Sequence, residues 1–160
     1  MKYRRLQADE LVDLRDEFVQ FLVANTITAE DWERIKVDSP ERAEGLLDIF
    51  SDIVFDKIIA KIEYLIYKTP DDIKTFHCTA DLIKLRGLRI EGGQGIDLTQ
   101  NLAPEELMAL LRSSGARVQV YAAEKRYQPN REQELFRMLE GGAQIDREGA
   151  LYQALVEVGS

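Results

Sequence analysis

The stretch SPERAEGLLDIFSDIVFDKIIAKIEYL, Ser39 to Leu65, decides the fold, because it reads as a long helix that runs straight into a strand. Ser39 is placed to cap, its hydroxyl accepting a free N–H of the first turn, and Pro40 follows where a missing N–H costs nothing. Glu41 then lies near the positive end of the helix dipole. Leu46, Ile49, Phe50, Ile53, Val54 and Ile58 recur at steps of three and four and share one face, which Leu47, Phe55 and Ile59 widen. A face that broad predicts a helix packed on more than one side.

The opposite face carries Glu44, Asp48, Asp52 and Asp56, each four residues after the last. Neighbouring like charges at this spacing cost about 0.2–0.5 kcal/mol each. No base interrupts the row. It reads either as the solvated face of an acidic protein or as a docking site for a basic partner. A straight row does not converge on one point, so binding a hard cation would need carboxylates from elsewhere.

On the N-terminal side, Leu11, Leu14, Phe18, Phe21 and Leu22 predict an amphipathic helix over Ala8–Ala24, stopped at Asn25. Thr28 and Asp31 form a capping pair that opens a short helix with Trp32 and Ile35. On the C-terminal side, Ile62–Lys68, Ile73–Cys78 and Leu82–Ile90 predict three strands joined by the turns Thr69–Asp72 and Thr79–Asp81. Connections this short give an antiparallel meander. The apolar phase of the third strand slips from Ile83 and Leu85 to Leu88 and Ile90, which predicts a β-bulge at Gly87. A helix from Pro104 to Gly115 follows, then a half-buried fourth strand with Val118, Val120 and Ala122 inward; its direction is left open by the length of the return. Asn130 and Gln133 cap a helix ending at Gly141–Gly142, and Asp146 is read as the cap of a last helix.

The 160 residues fit one domain, expected to span the whole chain: a helical segment over residues 1–61, a sheet with one inserted helix over 62–126, and a C-terminal helical pair over 127–160. The expected class is α+β, with N-terminal helices and the long central helix packed on a mostly antiparallel sheet of about four strands. With 29 acids against 21 bases the net charge is −8, which repels nucleic acid and anionic membrane. One cysteine rules out an internal disulfide and fits a reducing compartment. No apolar core follows the basic residues Met1–Arg5, because Asp9, Glu10 and Asp13 interrupt, so neither signal peptide nor membrane span is expected and the cytoplasm is.

Few residues carry a chemical signal. His77 and Cys78 are the sole histidine and cysteine, and neighbours on a strand point to opposite faces, so they do not make a nucleophile pair. Gly92-Gly93-Gln94-Gly95 lacks the spacing of a dinucleotide loop and the lysine of a phosphate loop, and reads as a mobile hairpin or loop. Arg117, Tyr121, Lys125, Arg126 and Tyr127 interleave bases with aromatics, as RNA-stacking strands do, but Glu124 intervenes and the chain is acidic.

Four stretches carry a resemblance: Met1–Leu6 (MKYRRL), Phe50–Lys57 (FSDIVFDK), Ile62–Leu65 (IEYL) and Arg131–Glu140 (REQELFRMLE). They resemble a family of short bacterial proteins of unknown function, over nearly the whole chain. The resemblance implies a small bacterial cytoplasmic protein and brings no activity, cofactor or catalytic residue.

The expected function is a non-catalytic protein-interaction or regulatory protein, with a protein partner or a second copy as homodimer. Glu44, Asp48, Asp52 and Asp56 are the candidate docking residues. No catalytic, cofactor-binding or metal residue is assigned and no cofactor is expected. The alternative is a carboxylate-dependent, divalent-metal-assisted enzyme, and the third reading is an RNA-binding module.

Overall fold

A computed structural model of the protein describes residues 1–92 and 95–159. The class is α+β, with seven helices and a five-stranded antiparallel sheet among the described residues. The chain divides into two compact units, Met1–Ala60 and Lys61–Ser160.

The first unit is helical: α1 (Ala8–Asp13), α2 (Arg15–Ala24), α3 (Ala29–Asp38) and α4 (Pro40–Ala60). The single helix expected over Ala8–Ala24 is two. Leu14 leaves the helical region at φ −106°, ψ 21°, and the chain bends there. The backbone bonds survive the bend, since Leu14 still donates to Glu10 and Phe18 donates to Leu14, so neither glycine nor proline was needed to mark it. Thr28 and Asp31 close their capping pair reciprocally at 3.0 and 3.1 Å. Ser39 caps α4 differently from expectation: its carbonyl accepts from Arg42 and Ala43, and its hydroxyl makes no cap bond. Phe18, Phe21, Trp32 and Phe50 form an aromatic cluster with centroids 5.0–6.1 Å apart, around buried Leu22, Ile27, Ile35 and Ala43. The buried side of α4 is Ala43, Phe50, Ser51, Val54, Phe55 and Ile59. Three isoleucines assigned to that side are not buried: Ile49 is 54% exposed, and Ile53 and Ile58 38% each.

The second unit holds β1 (Tyr64–Thr69), β2 (Asp72–Cys78), β3 (Leu82–Glu91), α5 (Pro104–Ser114), β4 (Arg117–Arg126), α6 (Arg131–Glu140), β5 (Gln144–Asp146) and α7 (Ala150–Gly159). The strand order is β4-β3-β2-β1-β5 and every pairing is antiparallel. That settles the direction of β4, which is an exposed edge strand and not the half-buried one expected. The fifth strand replaces the helix cap expected at Asp146: Gln144–Asp146 runs beside β1, with Asp146 opposite Tyr64. The turn into α7 comes at Gly149, where φ is +68° and a Cβ would stand 2.5 Å from the Tyr64 ring.

No bulge forms at Gly87. The register runs unbroken through it, with Lys74 on one side and Tyr121 on the other. Residues opposite one another in an antiparallel pair share a face, and the face alternates along the strand. Leu88 and Ile90 thus lie with Ile73 on the face covered by Leu107 and Leu111 of α5 and Leu151 and Leu155 of α7. Ile83 and Leu85 lie on the other face, beneath Glu134 and Met138 of α6. The slipped phase of β3 records a sheet covered on both sides at different heights. Glycine stands at position 87 for space alone: a Cβ would fall 2.1 Å from the Tyr121 ring.

Candidate functional site

The acidic row of α4 is held by the chain's own N-terminus. Arg5 Nε donates to Asp48 at 2.7 Å, with Glu44 at 4.0 Å from the same guanidinium. The backbone N–H groups of Lys2 and Tyr3 donate to the two oxygens of Asp52 at 2.8 and 3.2 Å. The Tyr3 hydroxyl donates to Asp56 at 2.6 Å, and Lys2 Nζ pairs with it at 3.2 Å. One residue beyond Arg5, the Leu6 N–H donates to the hydroxyl of fully buried Ser51, which itself donates to the Leu47 carbonyl. Lys2–Leu6 therefore lies as a strap along α4. Sequence reasoning noted both halves, the basic start and the unbroken acids, without joining them. The signal that could have joined them is that four acids at helical spacing repel until bases are supplied, and Met1–Arg5 supplies three.

The strap perturbs the row. The Arg5 hydrogen bond holds the Asp48 carboxyl below the usual carboxylate range, and the Tyr3 hydroxyl, with Lys2, does so for Asp56. A depressed folded value gives stabilisation that is complete above the ordinary carboxylate range and lost as pH falls through the depressed value. Urea midpoints followed from about pH 5 down toward pH 2 should thus fall more steeply for the natural chain than for Asp48→Asn with Asp56→Asn. Parallel curves would show that the strap does not stabilise these carboxylates.

The incompletely covered side of α4 forms a second feature. Leu14, Phe21 and Ala24 of the α1–α2 region face Phe50, Ile53, Val54 and Ile58 across an apolar groove of about 420 Å³. Glu17, Gln20 and Lys57 supply its polar rim. Sequence periodicity had placed these isoleucines against a core; the helices of this unit are too short and too few to cover so wide a face.

The remaining candidates are absorbed by the fold. Cys78 is buried beside Ile83, and burial pushes its thiol up to about 12, which keeps it an unreactive core residue. His77 faces the other way and stacks on Tyr64, centroids 4.8 Å apart. In the basic–aromatic run, the Tyr121 hydroxyl donates to buried Asp72 at 2.6 Å, the Tyr127 hydroxyl to the Thr79 carbonyl at 2.7 Å, and Lys125 pairs with buried Glu134. Burial raises the Tyr127 hydroxyl to about 12. Arg117, Lys125 and Arg126 leave basic charge along the open edge of β4, a common guard against edge-to-edge pairing. Of the glycine-rich stretch, Gly93 and Gln94 lie outside the described residues; Gly92 and Gly95 both have positive φ. Among the described residues no group of three or more His, Cys, Asp or Glu is placed to hold a metal ion, and no helix is long and apolar enough to cross a membrane.

A family model described as a family of unknown function (DUF6495) matches the chain over residues 1–160. No curated protein and no solved structure matches it.

Proposed function

The chain belongs to the DUF6495 family of unknown function, and we propose from its own geometry a non-catalytic interaction or regulatory protein that docks a partner's amphipathic helix in the groove between α2 and α4. The observation that carries this reading is the exposure of Ile53 and Ile58 in a groove otherwise lined by Leu14, Phe21, Phe50 and Val54. Contiguous exposed apolar surface with a polar rim is the usual mark of a protein-binding face, and a groove between two helices offers the shape that a third fills. The rim carries one acid and one base, Glu17 and Lys57, so apolar fit and not charge selects the occupant. In this reading the partner is another protein, the same groove accepting a second copy in a homodimer. The acidic row is the lesser candidate, since a basic partner at Glu44, Asp48, Asp52 and Asp56 must first displace Lys2, Tyr3 and Arg5. A bacterial cytoplasmic setting goes with the same proposal: the single cysteine stays reduced there.

A photocrosslinking residue at Gln20, on the groove rim, tests the proposal when combined with Ile53→Asp and Ile58→Asp. Each isoleucine is 38% exposed, so each change to Asp should cost about 1–2 kcal/mol, and a cooperative thermal melt certifies that the double variant is folded. The crosslinked partner should disappear in the double variant, or, if the partner is a second copy, sedimentation should shift from dimer to monomer. Identical crosslinks and an unchanged oligomeric state would overturn the groove as the docking surface.

A further inference from the structure

The geometry points to a binding site for a small organic oxyanion with a planar or apolar body, in the cleft between the sheet and α7. The cleft has a volume of about 480 Å³, within the range of small-molecule sites. Its floor is one face of β2, β3 and β4, where the antiparallel register sets His77 opposite Lys84, Lys84 opposite Glu124, and Arg86 opposite Ala122. Its wall is α7, with Tyr152, Gln153 and Val156.

Three observations converge there. First, Lys84 and Arg86 stand two residues apart on the same face of β3, both half-buried, and neither side chain makes a hydrogen bond or ion pair with a described residue. The half-buried Lys74, by contrast, pairs with a carboxylate, that of Asp72. Second, the cleft is shaped around Arg86. Ala122 opposite it carries no bulk, and its Nη1 lies 3.4 Å from where a Gly159 Cβ would stand, so the bare end of α7 leaves the guanidinium room. Third, an aromatic wall is built and fixed. Tyr64, His77 and Tyr152 lie within 4.8–5.6 Å of one another, and Gln153 Nε2 donates to the Tyr64 hydroxyl at 3.1 Å.

A guanidinium matches the paired oxygens of a carboxylate or phosphate in a bidentate fork, and a nearby ammonium adds a point charge. The apolar body of the ligand then lies against Tyr152 and Val156. Glu124 is the one carboxylate among the described residues that line the cleft; beside Lys84 and Arg86 it leaves their sum on the floor a single positive charge, which favours a ligand of low charge.

His77 is the only histidine, so its ring resonances in carbon-13-labelled protein report the cleft without ambiguity. The probes are benzoate and phenyl phosphate, with benzyl alcohol as the neutral body and acetate and inorganic phosphate as heads alone. Benzoate or phenyl phosphate should move the His77 resonance saturably at millimolar concentration, and the tighter of the two identifies the head. Benzyl alcohol should not move it, and the heads alone should bind more weakly. Arg86→Gln should weaken binding about tenfold or more, the effect of one charge-assisted hydrogen bond. Ala122→Phe, a change at an exposed position, should block the cleft with both cations in place. Thermal melts and far-ultraviolet circular dichroism that match the natural chain certify that both variants are folded. A response that does not saturate, or one unaltered by Arg86→Gln and Ala122→Phe, would overturn the site.

Discussion

Deletion of Met1–Leu6 is expected to lower the stability of the helical unit by about 3–5 kcal/mol, seen as a reduced urea midpoint. Most of the loss comes from Leu6, which is 5% exposed; burying a leucine contributes about 1.5–3 kcal/mol. Its N–H bond to Ser51 is the second contribution. Ser51 is fully buried, and a buried polar group that loses a partner costs about 1–3 kcal/mol. The charged contacts add less than their number suggests. Arg5–Asp48 and Lys2–Asp56 are substantially exposed, and such pairs contribute about 0.2–1 kcal/mol each. Deletion also frees the acidic row to repel itself. Ser51→Ala in the full-length chain should reproduce the Ser51 contribution alone. A truncated protein as stable as the full chain would mean that the strap rests on α4 without holding it.

Gly87→Ala should cost about 2–5 kcal/mol, a large effect for one added methyl group. The new Cβ would overlap the Tyr121 ring, its nearest atoms at 2.1–2.5 Å. Moving the ring breaks the 2.6 Å bond from the Tyr121 hydroxyl to Asp72, a carboxylate only 7% exposed that also pairs with Lys74. The ring is further held under Arg89 and Lys74, whose charges lie 5.5 and 5.9 Å from its centroid. The mechanism is specific enough for a cycle: in a Tyr121→Ala background, where the ring is gone, Gly87→Ala should cost well under half as much. Equal costs in the two backgrounds would mean that the glycine serves the strand backbone and not the tyrosine.

Gly87 also shows how far the sequence could be read. Its place at a slip in apolar phase pointed to a bulge, because the phase of one strand says nothing about which helices cover which face. With α6 over Ile83 and Leu85, and α5 and α7 over Leu88 and Ile90, the same pattern needs no irregularity. Signals that act within a few residues were legible: the Thr28–Asp31 and Asn130–Gln133 caps, the proline turn between β1 and β2, and the left-handed Gly115 after α5. β5 was not, since three residues lack the length for a periodicity and Asp146 is equally suited to a cap or to a strand end. The acidic row was visible as a row, but its partner lies more than forty residues away in sequence, beyond the reach of any local pattern. The groove was hidden for the opposite reason: apolar residues on a helix read as buried, and only the positions of α2 and α4 reveal that Ile53 and Ile58 are not.

Hydrogen exchange at the Leu6 amide tests most directly the claim that α4 is built to hold the chain's own N-terminus on its acidic face. Bonded at 2.9 Å to buried Ser51 Oγ, that amide should exchange as slowly as amides within α4, and Ser51→Ala should release it. Exchange at the rate of a free peptide in the natural chain would contradict the strap and return Glu44, Asp48, Asp52 and Asp56 to open solvent.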